Sequence, residues 1–112
     1  MKSILGLITV LSFSFTILAS NCDKPISKDR FEGLYNSIVT QKNDQQRYQL
    51  VLAFANRECV SVNQMTEFVS LIDDHKIKLS LIKDTYHLLF DAENIDLLLT
   101  EFSEHEQAII KK

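Results

Sequence analysis

One proline and two glycines are all that punctuate 112 residues. Turn-rich β folds draw heavily on both residue types, and no stretch here sustains an alternation of β-branched and polar side chains. A β architecture is therefore excluded, and helix is the reading that remains. Glycine is too scarce for a phosphate-cradling loop, no Cys-x-x-Cys pair occurs, and no nucleophile is flanked by glycines. The usual signatures of nucleotide binding, thiol redox chemistry and acyl transfer are thus missing. Basic charge is also short, with 12 Lys and Arg against 15 Asp and Glu. Without a basic stripe, general binding to nucleic acid or anionic membranes is excluded.

The one long apolar run stands at the N terminus. Met1-Lys2 gives a short positive start, "ILGLITVLSFSFTIL" carries no charge, and Ala19-Ser20 supplies small residues at its end. This is the order of a secretory signal peptide, with cleavage expected near Ala19 or Ser20. A membrane-spanning helix needs about 20 apolar residues and usually a charged stop. This run is shorter and holds four Ser or Thr. The expected organisation is a signal peptide over 1–20 and one helical domain over 21–112, with its core over 28–110 and no membrane insertion after cleavage. Lys2 leaves with the signal, so 11 basic and 15 acidic side chains remain, a net charge of −4. A domain this small buries little more than about 60% of its unfolded surface, so a covalent staple would matter.

Helix starts are well marked. Ser61-x-x-Gln64 and Ser103-x-x-Glu106 fit the capping box, in which each side chain satisfies an orphan backbone N–H. Ser27, Asp44 and Asp91 are further N-cap candidates. The spacing predicts helices near 28–41, 45–58, 62–73, 77–90, 92–102 and 104–110. Phe31-Leu34-Tyr35-Ile38, Met65-Phe68-Val69-Ile72 and Ile95-Leu98-Leu99-Phe102 each follow the pattern of a one-sided helix. They lie 34 and then 30 residues apart. Leu50-Val51-Phe54 and Leu81-Ile82 with Tyr86 fall between them. The chain thus reads as an all-α array of stacked antiparallel helical hairpins, five to six short helices in all. Units of about 30 residues that cannot bury their apolar faces alone stack on one another.

The motifs "CDKPIS", "FEGLYNSI", Arg47 twelve residues before Cys59, "CVSVNQM" and "KLSLIKDTYHLLFDAENI" resemble the domain-of-unknown-function 4476 family of small bacterial exported proteins. Cys22, Pro25, Ser27, Cys59, Ser61, Gln64, Lys78, Leu79, Lys83, Tyr86, Asp91 and Asn94 fall on its pattern. Tyr48 and Leu52 depart from the Leu and Lys of the first repeated helix, Ile82 replaces an Ala, and Ile95 stands where an aromatic is common. The resemblance spans nearly the whole chain after the signal segment. It implies architecture and an exported compartment, and brings no activity.

Cys22 admits two uses. As a lipidation site it would follow a lipobox, but Ala19, Ser20 and Asn21 occupy the three preceding places, with Leu18 one place too early. As half of a disulfide it is well placed. Two helices joined by a three-residue turn run antiparallel, so the start of 28–41 lies beside the end of 45–58. Cys22 precedes that start and Cys59 follows that end, in the oxidising compartment a signal peptide implies. A Cys22–Cys59 disulfide is the favoured expectation, and a lipid anchor on Cys22 the alternative.

Asp84, His87 and Asp91 stand at spacings of three and four, which would put two carboxylates and an imidazole on one helical face, a candidate divalent-metal set. Asp91 already has a helix start to cap and His87 sits beside two leucines, so no metal, cofactor or catalytic residue is assigned. His75 is expected in a solvated loop, and His105 beside Glu101 in a surface ion pair. Residues 84–110 hold seven acidic side chains and no Lys or Arg, which reads as a solvated helix face before it reads as a docking face. The leading expectation is a non-catalytic exported module that binds a protein or peptide, periplasmic or extracellular. A lipid-anchored accessory protein is the second reading, and a metal-dependent hydrolase using Asp84, His87 and Asp91 the third.

Overall fold

A computed structural model describes residues 22–112; the expected signal segment lies outside them. The described residues form α1 (Lys28–Val39), α2 (Asp44–Arg57), α3 (Val62–Val69) and α4 (His75–Thr85). Two 3-10 segments follow, Tyr86–Leu88 and Ala92–Leu98, and then α5 (Glu104–Ile110). The fold is all-α, built of stacked helical hairpins. In one layer α3 packs on α1 and the 92–98 segment packs on α3; in the other, α4 packs on α2 and α5 on α4. The seam between α2 and α4 is the most extensive.

The apolar stripes place the core. Leu34 and Ile38 of α1, Met65, Phe68 and Val69 of α3, and Ile95 and Leu98 are buried from one layer. Val51, Phe54, Leu81 and Ile82 are buried from the other, and all belong to one cluster. Phe31 stacks on Phe68 with ring centroids 5.0 Å apart, which carries the first hairpin onto the second. Each core side chain of this size that leaves water contributes about 1.5–3 kcal/mol.

Local hydrogen bonds fix where the helices begin. The Ser27 hydroxyl accepts from the Arg30 N–H at 3.1 Å, and complete capping boxes open α3 at Ser61/Gln64 and α5 at Ser103/Glu106. Asp44 does not cap α2. That position belongs to Asn43, whose side-chain oxygen accepts from the Gln46 N–H at 2.9 Å, and Asp44 turns outward to the next hairpin. Nor does Asp91 cap the segment it precedes: one carboxylate oxygen accepts from the Val62 N–H at 2.7 Å. A donor of the first turn of α3 is thereby satisfied from the following repeat.

Four expected α-helices are shorter or differently wound. The expected helix over 77–90 starts at His75 and leaves α geometry after Thr85, whose buried hydroxyl donates back to the Leu81 carbonyl at 2.8 Å. Such back-bonding competes with continuation of the helix. The chain then extends at Leu89, which enters the core, and the Phe90 N–H donates to the Val60 carbonyl at 2.8 Å. The expected helix over 92–102 is 3-10 from Ala92 to Leu98. Three residues per turn line up Ala92, Ile95 and Leu98 toward the core, and Leu97 swings out to 64% exposure. α1 ends at Val39 and α3 at Val69, ahead of the expected ends, because i to i+3 bonds at Gln41, Leu71 and Ile72 tighten the chain into its turns.

Candidate functional site

Three chain segments converge where the first hairpin opens. The stretch before α1, the α2–α3 junction and the stretch after α4 are tied by two backbone bonds, Ile26 N–H to the Cys59 carbonyl and Phe90 N–H to the Val60 carbonyl, both 2.8 Å. The Gln64 side-chain amide donates to the Ile26 carbonyl at 2.9 Å. At this junction Cys22 and Cys59 form a disulfide, with their α-carbons 5.3 Å apart. The antiparallel run of α1 and α2 brings both thiols to one place, as the spacing requires.

Beside the disulfide lies a cleft of about 340 Å³, lined among others by Cys22, Arg57, Cys59, His87 and Phe90. Phe90 is 40% exposed, one of three large apolar residues left in solvent among those described. The Arg57 guanidinium lies 5.8 Å from the Phe54 ring centroid, within cation–π reach. Glu58 also lines the cleft and pairs with Arg30 at 2.6 Å; the Arg30 pKa is raised by this hydrogen bond and by the Glu58 charge. A second cleft of about 350 Å³ adjoins through His87 and is lined by Lys83, Tyr86, Ile109, Lys111 and others.

The metal candidates do not assemble. With α4 ending at Thr85, Asp84, His87 and Asp91 no longer share one helical face. Asp84 accepts the Tyr48 hydroxyl, and Asp91 is engaged by the Val62 N–H and by the Asn94 amide at 3.0 Å. Among the described residues no group of three His, Cys, Asp or Glu is placed to hold a metal ion. Burial pushes the Asp91 carboxyl up, but Asn94 and the Val62 N–H outweigh it and hold it below the ordinary carboxylate value. The Asp84 hydrogen bond, with burial and the neighbouring negative charge, pushes the Tyr48 phenol up to about 12.

Five of the seven acidic side chains over 84–110 have internal partners, Asp84 and Asp91 among them. Lys111 pairs with Asp96 at 2.7 Å, Lys78 with Glu101 at 3.3 Å, and His75 with Glu106 at 2.9 Å. Glu101 therefore serves Lys78 and not His105. His75 is the first residue of α4 and not a loop residue, and its ring lies 4.9 Å from that of Phe102. No sequence signal pointed to Arg57 or Phe90. Arg57 is one more polar residue at a helix end, and Phe90 reads as core until α4 is seen to end early.

Among the described residues no helix is long and apolar enough to cross a membrane. No protein-family model, no curated protein and no solved structure matches the chain.

Proposed function

We propose that the protein is an exported, non-catalytic module that binds a protein or peptide. The observation that carries this reading is the cleft at the disulfide junction. Arg30 pairs with Glu58, the one carboxylate side chain in its lining, while Phe90, His87 and Arg57 stay exposed on its walls. Exposed aromatic and Arg side chains set in a pocket are the typical anchors of protein interfaces. Stacked helical hairpins supply the extended, rigid surfaces that such modules use. Asp84 and Asp91, which a hydrolase would need free, are engaged in holding elements together, and this favours binding over catalysis.

The disulfide fits an oxidising compartment. The apolar N-terminal segment and the resemblance to the domain-of-unknown-function 4476 pattern support export to the periplasm or the cell exterior. A sulfur in a disulfide cannot also carry a lipid thioether, so the anchored reading and the stapled one exclude each other. Cross-linking in the native host, followed by mass spectrometry, tests the proposal. A reproducible protein partner is expected. A chain that stays monomeric and captures nothing contradicts the reading.

A further inference from the structure

We infer that the two adjoining clefts form one basic, aromatic groove that takes an acidic segment of a partner protein. This inference rests on the binding reading above and gives it a place and a chemistry.

The charge of the groove is opposite in sign to that of the molecule. The described residues carry a net charge of −4, yet Arg57 lines the first cleft and Lys83 the second, with His87 common to both. Among the described residues neither cation is in an ion pair, whereas Arg30, Arg47, Lys78 and Lys111 all are. Glu58, the one carboxylate side chain in the lining, pairs with Arg30 at 2.6 Å, and Lys111 of the second cleft pairs with Asp96 at 2.7 Å. Asp84 and Asp91, neighbours in sequence to Lys83 and Phe90, are engaged by Tyr48 and by the Val62 N–H. Both carboxylates keep their charge, but Arg57, Lys83, Lys111 and Lys112 line the two clefts against one lining carboxylate side chain, Glu58, so the lining itself is basic on an acidic protein. Such complementarity selects a partner and steers its approach.

The walls argue for a peptide over other anions. Leu88 and Phe90 line the first cleft, and Tyr86 and Ile109 the second. Acidic side chains on the cations and an apolar or aromatic side chain between them would use the whole surface. Clefts of about 340 and 350 Å³ lie near the small end of ligand cavities, about 300–1,000 Å³, a fit for single side chains of an extended segment. A bilayer of anionic lipid meets instead the excess negative charge of the rest of the molecule.

The test pans a random-sequence peptide display library against the disulfide-intact protein, then measures one enriched synthetic peptide by fluorescence anisotropy. Enrichment of Asp or Glu around an aromatic residue is expected. The double variant Arg57→Glu/Lys83→Glu should bind that peptide about tenfold or more weakly, as loss of two charge contacts implies. Lys42→Glu/Lys76→Glu makes the same change in net charge at the opposite ends of the helices and should leave binding intact. Circular dichroism of both variants should match the parent. Equal losses in the two doubles would reduce the effect to net charge and overturn the groove. Enriched peptides that are neutral or basic, and indifferent to Arg57→Glu/Lys83→Glu, would overturn the groove while leaving the binding reading standing. A library that yields nothing would sink both. Binding of phosphatidylglycerol vesicles but of no peptide would replace the peptide by a lipid surface and overturn the inference.

Discussion

Asp44 and Asp74 are linked across thirty residues: one carboxylate oxygen of Asp44 accepts the backbone N–H groups of both Asp73 and Asp74, at 3.1 and 2.9 Å. Asp74 in turn caps α4 by accepting from the Ile77 N–H at 3.0 Å. The start of the second hairpin's outer helix is thereby set by the start of the first. Arg47 holds the other Asp44 oxygen at 2.7 Å and donates to the Gln41 carbonyl at 3.2 Å, closing the turn between α1 and α2. Asp91 to Val62 and His75 to Glu106 span 29 and 31 residues. The repeat is thus bonded by polar side chains as well as packed by apolar ones.

Asp44→Ala should lower unfolding free energy by about 2 kcal/mol, because it leaves two backbone donors without a charged acceptor. Asn43→Ala should cost about 1 kcal/mol, the usual loss of an N-cap. Urea denaturation midpoints measure both. A silent Asn43→Ala would return the cap to Asp44.

Acid should destabilise the stack through the carboxylates that hold it together. The backbone N–H of Asp74 first, then that of Asp73 and the Arg47 contact, outweigh burial and lower the Asp44 pKa. The Ser103 N–H and then the His75 ring lower that of Glu106, and Asp91 is lowered as well. A carboxylate depressed on folding contributes stability that is present above its unfolded pKa and lost as pH falls through the folded one. Stability should therefore hold at neutral pH and fall through and below the ordinary carboxylate range. Melting temperatures recorded from neutral to strongly acid pH should show this, and Asp44→Asn/Asp91→Asn/Glu106→Gln should flatten the profile.

Alkali should act at the α2–α4 seam. The Tyr48 phenol rises from an ordinary 10.0 to about 12 on folding. A phenol raised in this way contributes stability that is complete below the unfolded value and lost as pH climbs through the folded one. A loss of stability should appear between about pH 10 and 12 and vanish in Tyr48→Phe. An unchanged alkaline profile in that variant would remove Tyr48–Asp84 from the account.

Much of the helical frame was legible because the signals were local. Three apolar stripes, two capping boxes and Ser27 read directly from spacing, and the hairpin arithmetic brought Cys22 to Cys59. What escaped was decided by distant chain. Asp44 and Asp91 have the residue type of caps and lie beside or at a helix start, yet each carboxylate accepts from backbone N–H groups of a neighbouring repeat about thirty residues away. The 92–98 segment has an α-like stripe, yet it winds as 3-10 just after Phe90 is pinned to the Val60 carbonyl. The groove was illegible for the same reason. Arg57 and Lys83 are ordinary surface cations until the fold makes His87 a wall of both their clefts.

The disulfide spans 37 residues, a loop whose closure constrains the unfolded chain by about 4 kcal/mol in the chain-entropy account. Cys22→Ser/Cys59→Ser should lose stability of that order in urea, with helical circular dichroism retained at low temperature. A loss under about 1 kcal/mol would place the hold on the hairpin mouth in the backbone bonds at Cys59 and Val60 instead.

Cys22 is bonded to Cys59, which leaves its sulfur no place for a lipid. Intact mass of the mature protein purified from its native host, before and after reduction, tests this most directly. The prediction is a signal-cleaved chain with no lipid adduct and no alkylatable thiol until reduction, and then two. A diacylglyceryl adduct on Cys22, or two thiols that alkylate without reduction, would contradict it.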